Sequence, residues 1–256
     1  MRILITGGGY VGGSLYNALR NEYRVNLVTR KDFDLTSFTD LQKFLKGKYF
    51  DAVIHTAVSG GSRLREDTGS EMDNNLTMYY NILQHKDHYG KLIHFGSGAE
   101  EHTPETPYGI SKRVIAKSIL EQDKFYNIKV FGVFDENELD TRFIKANLKR
   151  YINREPMIIN ASKRMTFFYM KDLITLVKHY IDTRATALRK ESHCAYTTDY
   201  SLKEIADMIN ELDDYKVQIY KTEEVAEDYI SNYNAGYGLT YTGFKKGLYE
   251  TYNKLR

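Results

Sequence analysis

The stretch RILITGGGYVG, at residues 2–12, decides how this chain folds. Its first part, Arg2–Thr6, is aliphatic and β-branched, which is typical of a buried strand. Three consecutive glycines follow, and a helix is predicted over residues 11–21. A strand that runs through a glycine-rich turn directly into a helix is the opening unit of a sheet covered by helices.

The same turn fits the ligand-binding pattern G-x-G-x-x-G. In that pattern the first glycine permits the tight turn, the second lets the backbone approach a pyrophosphate, and the third lets the helix pack on the strand. Free N–H groups at the helix start attract an anion. The position between strand and helix is the one that the dinucleotide fingerprint requires, although glycine clusters also form turns without a ligand. We expect a dinucleotide cofactor to be bound by Gly7, Gly9, Tyr10, Val11 and Gly12.

Beyond this unit, short apolar runs alternate with helical segments through the first half of the chain. Strands are predicted at residues 25–29, 52–58, 91–97 and 128–134, and helices at residues 40–45, 74–85 and 111–122. Strands that alternate with helices form crossover units and a parallel sheet. We therefore predict the α/β class, with a doubly wound parallel sheet of the Rossmann type.

The second half of the chain is less regular. Helices are predicted at residues 141–152, 171–181 and 244–255, and another begins at Ser201, where Glu204 completes a capping box. Short strands are predicted at residues 156–160, 194–197 and 217–220. We expect residues 1–135 to form a dinucleotide-binding core. Residues 136–256 are expected to contribute a small C-terminal substrate lobe and to return elements to the core.

Composition narrows the classes of function. The 256 residues include 36 Lys and Arg against 34 Asp and Glu, a net charge of +2, so we expect no nucleic-acid partner and no polybasic membrane contact. No apolar run approaches the ~18 residues of a membrane span, and no signal-peptide pattern precedes the glycines, so a cytoplasmic protein is expected. The single cysteine, Cys194, excludes an intramolecular disulfide. No residue spacing typical of a metal site is present, and we expect no metal to bind.

The end of the second predicted strand, Val28-Thr29-Arg30-Lys31, bears on the choice of cofactor. A carboxylate at this point binds the ribose 2′-hydroxyl of NAD, whereas an arginine accommodates the 2′-phosphate of NADP. The two cations favour NADP, with Arg30 as the binding residue. NAD remains the alternative, because Asp32 lies close enough in sequence to reach a ribose.

A second motif, Y-x-x-x-K at Tyr108 and Lys112, points to proton transfer. At helical spacing the two side chains share one face. A nearby ammonium favours the phenolate and lowers the pKa of the phenol, so the tyrosine can move a hydroxyl proton while a hydride moves to or from the cofactor. Ser97 ends the preceding strand, and its hydroxyl can orient the reacting oxygen. The alternative is an exposed helical pair without a catalytic role.

Together these motifs resemble the extended short-chain dehydrogenase/reductase family, in the branch that acts on nucleotide sugars. The resemblance covers residues 1 to about 181 and rests on TGGGYVG (6–12), DLT (34–36), HTAV (55–58), NN (74–75), the strand ending at Ser97, YGISK (108–112) and FFYMKDL (167–173). It implies a catalytic set of Ser97, Tyr108 and Lys112. Tyr108 and Lys112 are also expected to contact the cofactor, because the lysine can hydrogen-bond the nicotinamide ribose. The cofactor residues that it implies are Asp34 and Leu35, which flank the adenine, and Ala57 and Val58, which line the cofactor channel.

The chain departs from the family's pattern at positions that bear on the reaction. Dehydratase members carry an Asp-Glu pair directly after the active hydroxyl, where this chain has Gly98-Ala99, and GDP-fucose synthase members carry a cysteine there. Dehydration and 3,5-epimerisation are therefore disfavoured. In the family's register the sugar-phosphate arginine falls at Met165, and Arg164 stands one residue earlier. We expect Arg164, and secondly Arg142, to bind the substrate diphosphate, because a forked guanidinium matches phosphate.

The reaction favoured by these residues is NADP(H)-dependent reduction of a nucleotide-linked keto-sugar. One alternative is a nucleotide-sugar 4-epimerase with tightly bound NAD, and another is a cofactor-binding protein without turnover. The resemblance also implies a homodimer formed through the helices at residues 74–85 and 111–122. Apolar residues of these helices that can face the core or a partner are Leu76, Ile82, Ile115 and Ile119.

Overall fold

The computed structural model describes residues 1–61 and 67–256. The strands of the described residues are β1 (Arg2–Thr6), β2 (Arg24–Val28), β3 (Ala52–His55), β4 (Leu92–Ser97), β5 (Phe125–Val130), β6 (Val133–Phe134), β7 (Met157–Ile159), β8 (Arg164–Met165), β9 (Phe168–Tyr169), β10 (Glu191–His193), β11 (Tyr200–Ser201) and β12 (Ile219–Lys221). The helices are α1 (Tyr10–Leu19), α2 (Phe38–Leu45), α3 (Gly69–Gln84), α4 (Ala99–His102), α5 (Pro107–Leu120), α6 (Phe143–Ile152), α7 (Met170–Asp182), α8 (Leu202–Asn210) and α9 (Phe244–Leu255).

These elements belong to two separate units of the chain. The first comprises Met1–Lys129 and Lys178–Ser192, and the second comprises Val130–Val177 and His193–Arg256. In the part of the chain that the structure describes, no helix is long and apolar enough to cross a membrane.

The first unit is built on a six-stranded sheet in the order β10-β5-β4-β3-β1-β2. β1 lies in parallel between β2 and β3, and β3 pairs in parallel with β4. The chain passes from β1 to β2 on one side, whereas β3 lies on the other side, so the winding direction reverses at β1. Such a reversal opens a crevice at the carboxyl ends of the strands, where doubly wound sheets bind ligands. The predicted doubly wound α/β fold is therefore confirmed.

Helix α5 begins where the sequence provides a cap. The Thr106 side chain accepts a 3.0 Å hydrogen bond from the Gly109 N–H, and Pro107 occupies the first helical position, where no N–H partner is needed. Tyr108 and Lys112 consequently lie one turn apart on a helix that packs against α3 and β4. The helix therefore begins at Pro107, four residues before the predicted start at residue 111.

One face of the sheet is covered by α2, α3 and α5 through a shared apolar core, which includes Leu4, Val28, Leu41, Phe50, Val53, Met78, Tyr79, Ile82, Ile115 and Ile119. Ile82, Ile115 and Ile119 are at most 3% exposed, and they therefore face this core rather than a partner. Exposed apolar side chains on the same two helices are Tyr80, Val114 and Leu120. A homodimer through these helices stays a prediction.

The second unit packs α6, α8 and α9 around three small strand pairs, β6 with β9, β7 with β12, and β8 with β11. Its buried core includes Phe134, Leu148, Tyr151, Phe167, Ile205, Ile209 and Leu248. The predicted capping box is present, because the Ser201 hydroxyl accepts the Glu204 N–H while the Glu204 carboxylate accepts the Ser201 N–H.

Several predicted bounds were wrong for identifiable reasons. The strand predicted at residues 194–197 is instead β10 (Glu191–His193), and the chain is irregular from Cys194 to Asp199. The strand predicted at residues 128–134 is divided into β5 and β6 at Phe131 and Gly132. A Cβ on Gly132 would lie 2.9 Å from the Phe167 ring, so the chain there passes too close to its neighbour for a larger residue. Helix α3 begins at Gly69 because Thr68 and Glu71 form a capping box that the prediction missed.

Candidate active site

Two of the three glycines of the fingerprint, Gly7 and Gly12, occupy positions where the fold leaves no room for a side chain. Gly7 has φ +97°, and a Cβ there would lie 2.6 Å from the backbone of Ala57. A Cβ on Gly12 would lie 1.9 Å from the Gly7 carbonyl oxygen, so the helix packs directly on the turn. At Gly9, the N-cap of α1, a Cβ would meet nothing within 4 Å. The turn is therefore tight at its base and open at the helix N-terminus, which suits a pyrophosphate.

A cavity of about 310 Å³ opens at the carboxyl ends of β1, β2 and β3. It is lined by Gly7, Gly8, Gly9, Thr29, Arg30, Phe33, Asp34, Leu35, Thr56, Ala57, Val58 and Met78. Seven of the predicted cofactor residues lie on this wall, but Tyr10, Val11, Gly12, Tyr108 and Lys112 do not. The prediction missed Gly8, Thr29, Phe33, Thr56 and Met78. Met78 lies on α3, and only the folded chain brings it beside the end of β2.

The charged residues after β2 have different surroundings. The Asp32 carboxylate accepts hydrogen bonds from the Thr29 N–H at 2.8 Å and the Thr29 hydroxyl at 2.9 Å, which lower its pKa and hold it in the turn. Asp34 lines the cavity, and its pKa is lowered by hydrogen bonds from Thr36 and by the charge of Arg30. Arg30 is exposed on the cavity wall. The cavity thus presents one guanidinium and one ionised carboxylate at this end.

Strand β4 and helix α5 bring the Ser–Tyr–Lys residues to one region of the first unit. Lys112 is 4% exposed, and its ammonium donates a 2.6 Å hydrogen bond to the Phe95 carbonyl oxygen. The same Nζ lies 5.7 Å from the centroid of the Tyr108 ring. Ser97 is buried at the end of β4, and its hydroxyl oxygen accepts a 3.2 Å bond from the Ala99 N–H. That bond uses a lone pair of Ser97 and leaves its hydroxyl proton for another acceptor.

Burial controls the electrostatics around Lys112. Desolvation lowers the pKa of Lys112 to about 8, and the carboxylate of Glu100 opposes that shift. His55 and His94 are also buried, and burial together with the charge of Lys112 lowers their pKa values, that of His55 to about 3. Both histidines are therefore neutral at physiological pH, and they add no positive charge beside the lysine.

Two features of the site involve the segment after β3. Gly61 has φ +68°, and a Cβ there would lie 2.8 Å from Cζ of Tyr108, so the backbone lies directly against the phenol ring. Asn75 on α3 holds the start of this segment: its side chain accepts the Ser59 N–H at 2.8 Å and donates to the Ser59 carbonyl oxygen at 2.9 Å. The Asn75 amide also donates to the Ser111 hydroxyl at 3.1 Å, which ties the segment to α5.

The two arginines expected to bind a diphosphate both lie in the second unit. Arg164 lies on β8, and its guanidinium donates a hydrogen bond to the Asp199 carbonyl oxygen. Arg142 is the N-cap of α6, and among the described residues its guanidinium has no hydrogen-bond or ion-pair partner. Lys145 and Lys149 on the same helix pair with Asp140 at 2.9 and 2.7 Å. Among the described residues, Arg142 therefore keeps more of its N–H donors for a ligand than Arg164 does.

The family model for the NAD dependent epimerase/dehydratase family matches residues 3–195. The chain belongs to this family. The match includes the glycine turn, the cavity, Ser97, Tyr108 and Lys112, and the family's description makes the protein an enzyme dependent on a nicotinamide dinucleotide. By sequence, no curated protein matches the chain.

Solved structures of the family share the fold at low sequence identity. A GDP-mannoheptose C4 reductase from Campylobacter jejuni with NADP bound has a TM-score of 0.84 at 16% identity, covering 99% of this chain and 97% of that one. A UDP-glucose 4-epimerase from Thermus thermophilus in complex with NAD has a TM-score of 0.76 at 15% identity, covering 100% and 99%. A dTDP-4-dehydrorhamnose reductase from Bacillus anthracis in complex with NADP has a TM-score of 0.78 at 18% identity, covering 99% and 98%. Reductases and epimerases thus share this architecture.

Proposed function

We propose that this enzyme is an NADP(H)-dependent reductase of a nucleotide-linked keto-sugar. The observation that carries the proposal is the arrangement after β2, where Arg30 lines the cavity while Asp32 is held by Thr29. A guanidinium suits a ribose 2′-phosphate. The carboxylate that could bind the ribose of NAD at the strand end, that of Asp32, is already hydrogen-bonded to Thr29. NADPH is the usual reducing cofactor, and two of the similar structures named above are reductases with NADP.

The cradle for the cofactor consists of the glycine turn and the cavity wall. Gly7 and Gly9 would hold the pyrophosphate, Arg30 the 2′-phosphate, and Asp34 and Leu35 would flank the adenine. Ala57 and Val58 would line the path towards Tyr108 and Lys112, with the Lys112 ammonium as a donor to the nicotinamide ribose. When bound, the cofactor supplies the hydride that reduces the carbonyl carbon.

The remaining chemistry belongs to three side chains. Tyr108 donates its phenolic proton to the carbonyl oxygen, so that the ketone becomes a hydroxyl group. Lys112, a buried cation beside the ring, stabilises the phenolate that this transfer leaves. Ser97 keeps its proton and donates a hydrogen bond to the same substrate oxygen, since the Ala99 N–H occupies only a lone pair of its hydroxyl oxygen. The three groups thus place donors where negative charge develops.

The substrate's diphosphate is assigned to Arg142 and Arg164. Arg142 is the stronger candidate, since its guanidinium is without a partner among the described residues and it stands at the N-terminus of α6, which favours an anion. Arg164 retains N–H groups beyond the one that it donates to Asp199, and it contributes a second positive charge.

One observation favours a 4-epimerase as the second candidate. Asp34 presents an ionised carboxylate to the same cavity, and a carboxylate can accept the hydroxyl groups of an NAD ribose. An epimerase would keep its cofactor and return the hydride to the other face of the sugar.

The deciding experiment incubates the purified enzyme with UDP-, GDP- and dTDP-linked hexoses and their 4-keto derivatives, with NADPH or NADH. Nicotinamide absorbance and the sugar products are followed together, and Tyr108→Phe serves as the control that lacks the transferable proton. We expect NADPH to be consumed in equal amount to the keto-sugar reduced. Interconversion of two hexoses without net change in the cofactor would instead establish the epimerase.

A further inference from the structure

Glu100, on the short helix α4, is a buried carboxylate that the chemistry above does not use. It is 6% exposed, and its Oε1 accepts a 2.9 Å hydrogen bond from the backbone N–H of Ser97. Its other oxygen lies 3.3 Å from Nζ of Lys129 on β5, and the Asn127 amide nitrogen lies 3.5 Å from both oxygens. A buried carboxylate with this set of donors is held in one position.

The end of β4 is shaped around this carboxylate. A Cβ on Gly96 would lie 2.4 Å from Glu100 Oε1 and 2.4 Å from Asn127 Oδ1. Any side chain at residue 96 would therefore displace Glu100 or Asn127. The glycine directly before Ser97 thus leaves the space that the carboxylate occupies, and it links the position of Glu100 to that of the catalytic serine.

Glu100 also acts on the electrostatics of the proposed catalytic lysine. Both side chains are buried, and both bond the backbone near the end of β4, Lys112 at the Phe95 carbonyl oxygen and Glu100 at the Ser97 N–H. Among the described residues, the groups that interact with Lys112 are His55 from β3, His94 from β4, Tyr108 from α5 and Glu100 from α4. Both histidines are neutral, so Glu100 is the group that brings negative charge, and it opposes the loss of the lysine proton that burial promotes.

The carboxylate of Glu100 is itself paired with a second set of groups. Burial raises the pKa of Glu100 above its ordinary value, and the ammonium groups of Lys129 and Lys112 and the Ser97 N–H oppose that rise. Glu191 from β10 adds a like charge, and it also shares Lys129, at 3.3 Å, with Glu101 at 2.6 Å. Glu100 is therefore one carboxylate of a buried ion-paired network around Lys129, and it is the member that accepts the Ser97 N–H.

We propose that Glu100 is a positioning residue of the active site, which fixes the backbone of Ser97 and supplies the buried negative charge that keeps Lys112 protonated. This inference rests on the proposed roles of Ser97 and Lys112. Glu100 touches neither the substrate nor the cofactor, and it acts through these two residues.

The test compares the pH dependence of kcat in the wild type, Glu100→Gln and Glu101→Gln. Glutamine at 100 keeps an oxygen that accepts the Ser97 N–H and removes only the charge. We expect the alkaline limb of the pH–rate profile to move to lower pH by about one unit in Glu100→Gln, because the carboxylate that opposes the loss of the lysine proton is removed. Glu101→Gln removes a carboxylate that, like Glu100, pairs with Lys129, but Glu101 makes no contact with Ser97. We expect the alkaline limb of this variant to stay at the wild-type pH.

An alkaline limb that is the same in Glu100→Gln and the wild type would overturn the proposal, as would an equal shift in both variants. A merely structural role would lower the melting temperature and scale the activity equally at every pH. If the wild type turns over no keto-sugar, the proposed function fails instead. The affinity for NADPH is then titrated against pH by fluorescence, and loss of affinity at lower pH in Glu100→Gln than in the wild type still tests Glu100.

Discussion

The ammonium of Lys112 is joined to the carbonyl oxygen of Phe95 by a 2.6 Å hydrogen bond, which attaches α5 to β4 two residues before Ser97. The bond satisfies one of three ammonium donors, and the same nitrogen lies beside the Tyr108 ring. Two elements that meet only in the folded sheet thus fix the proposed proton donor and its cation together.

This placement predicts how activity depends on pH. Because burial lowers the pKa of Lys112 to about 8, the fraction of ammonium falls as the pH rises through that value. We expect kcat to decline on the alkaline side with an apparent pKa near 8, well below that of an ordinary lysine. Rates measured from about pH 6 to 10 check this. A plateau that extends to pH 10 would show that turnover does not need the charged lysine.

The local part of the site could be predicted from the sequence, because its geometry comes from residues close together in the chain. Gly7, Gly9 and Gly12 form one turn, and Tyr108 and Lys112 lie one helical turn apart. The contacts of Gly61 with Tyr108 and of Asn75 with Ser59 could not be predicted in this way, since the sheet topology brings separate segments together. The strand predicted at residues 194–197 failed because a short apolar run has no period that distinguishes a strand from buried irregular chain.

Replacing Arg30 tests the choice of cofactor. In Arg30→Ala we expect the affinity for NADPH to fall by about tenfold to a hundredfold, because a charge-assisted contact contributes about 1.5–3 kcal/mol. The affinity for NADH should change little. Lys31→Ala is the matched control, since Lys31 follows Arg30 but does not line the cavity. Fluorescence titration gives both dissociation constants, and an unchanged NADPH-to-NADH ratio in Arg30→Ala would favour NAD.

The second unit allows a test of the proposed diphosphate cations. Arg142→Ala should raise KM for the nucleotide sugar by about tenfold, the effect of losing one charge-assisted contact. Arg164→Ala should raise it less, because part of that guanidinium already bonds Asp199. Arg150→Ala removes a cation from the same helix and serves as the control. Steady-state kinetics separate the three variants, and equal KM values in Arg142→Ala and Arg150→Ala would contradict the assignment.

The aspartate of the FFYMKDL segment is predicted to stabilise the second unit. Asp172 is 1% exposed, and its oxygens accept the N–H groups of Thr242 at 2.7 Å and Gly243 at 2.9 Å, just before α9, as well as the Tyr196 hydroxyl. Asp172→Asn leaves one oxygen for these donors, so we expect a loss of about 1–3 kcal/mol in the free energy of unfolding.

The control for that change is Asp207→Asn. Asp207 pairs with Lys203 on the surface of α8, where an exposed ion pair contributes about 0–1 kcal/mol. Urea unfolding followed by circular dichroism compares the two variants with the wild type. If Asp172→Asn is no less stable than Asp207→Asn, the buried carboxylate does not hold the start of α9 as inferred.

The contact between Gly61 and Tyr108 predicts a loss of activity that strain alone does not explain. Gly61→Ala adds a methyl group whose carbon would lie 2.8 Å from Cζ of the phenol, so the ring or the backbone must move. The φ of +68° adds a further cost of about 1–2 kcal/mol for any L residue. Gly47 separates the two effects, because its φ is +70° and a Cβ there meets nothing within 4 Å.

We expect Gly61→Ala to lower kcat by at least about tenfold, since misplacing a proton donor by an ångström is costly. Gly47→Ala should lose similar stability and keep its kcat. Affinity for the cofactor should be unchanged in both, because neither glycine lines the cavity. Equal kcat values in the two alanine variants would show that Tyr108 tolerates displacement of the segment that covers it.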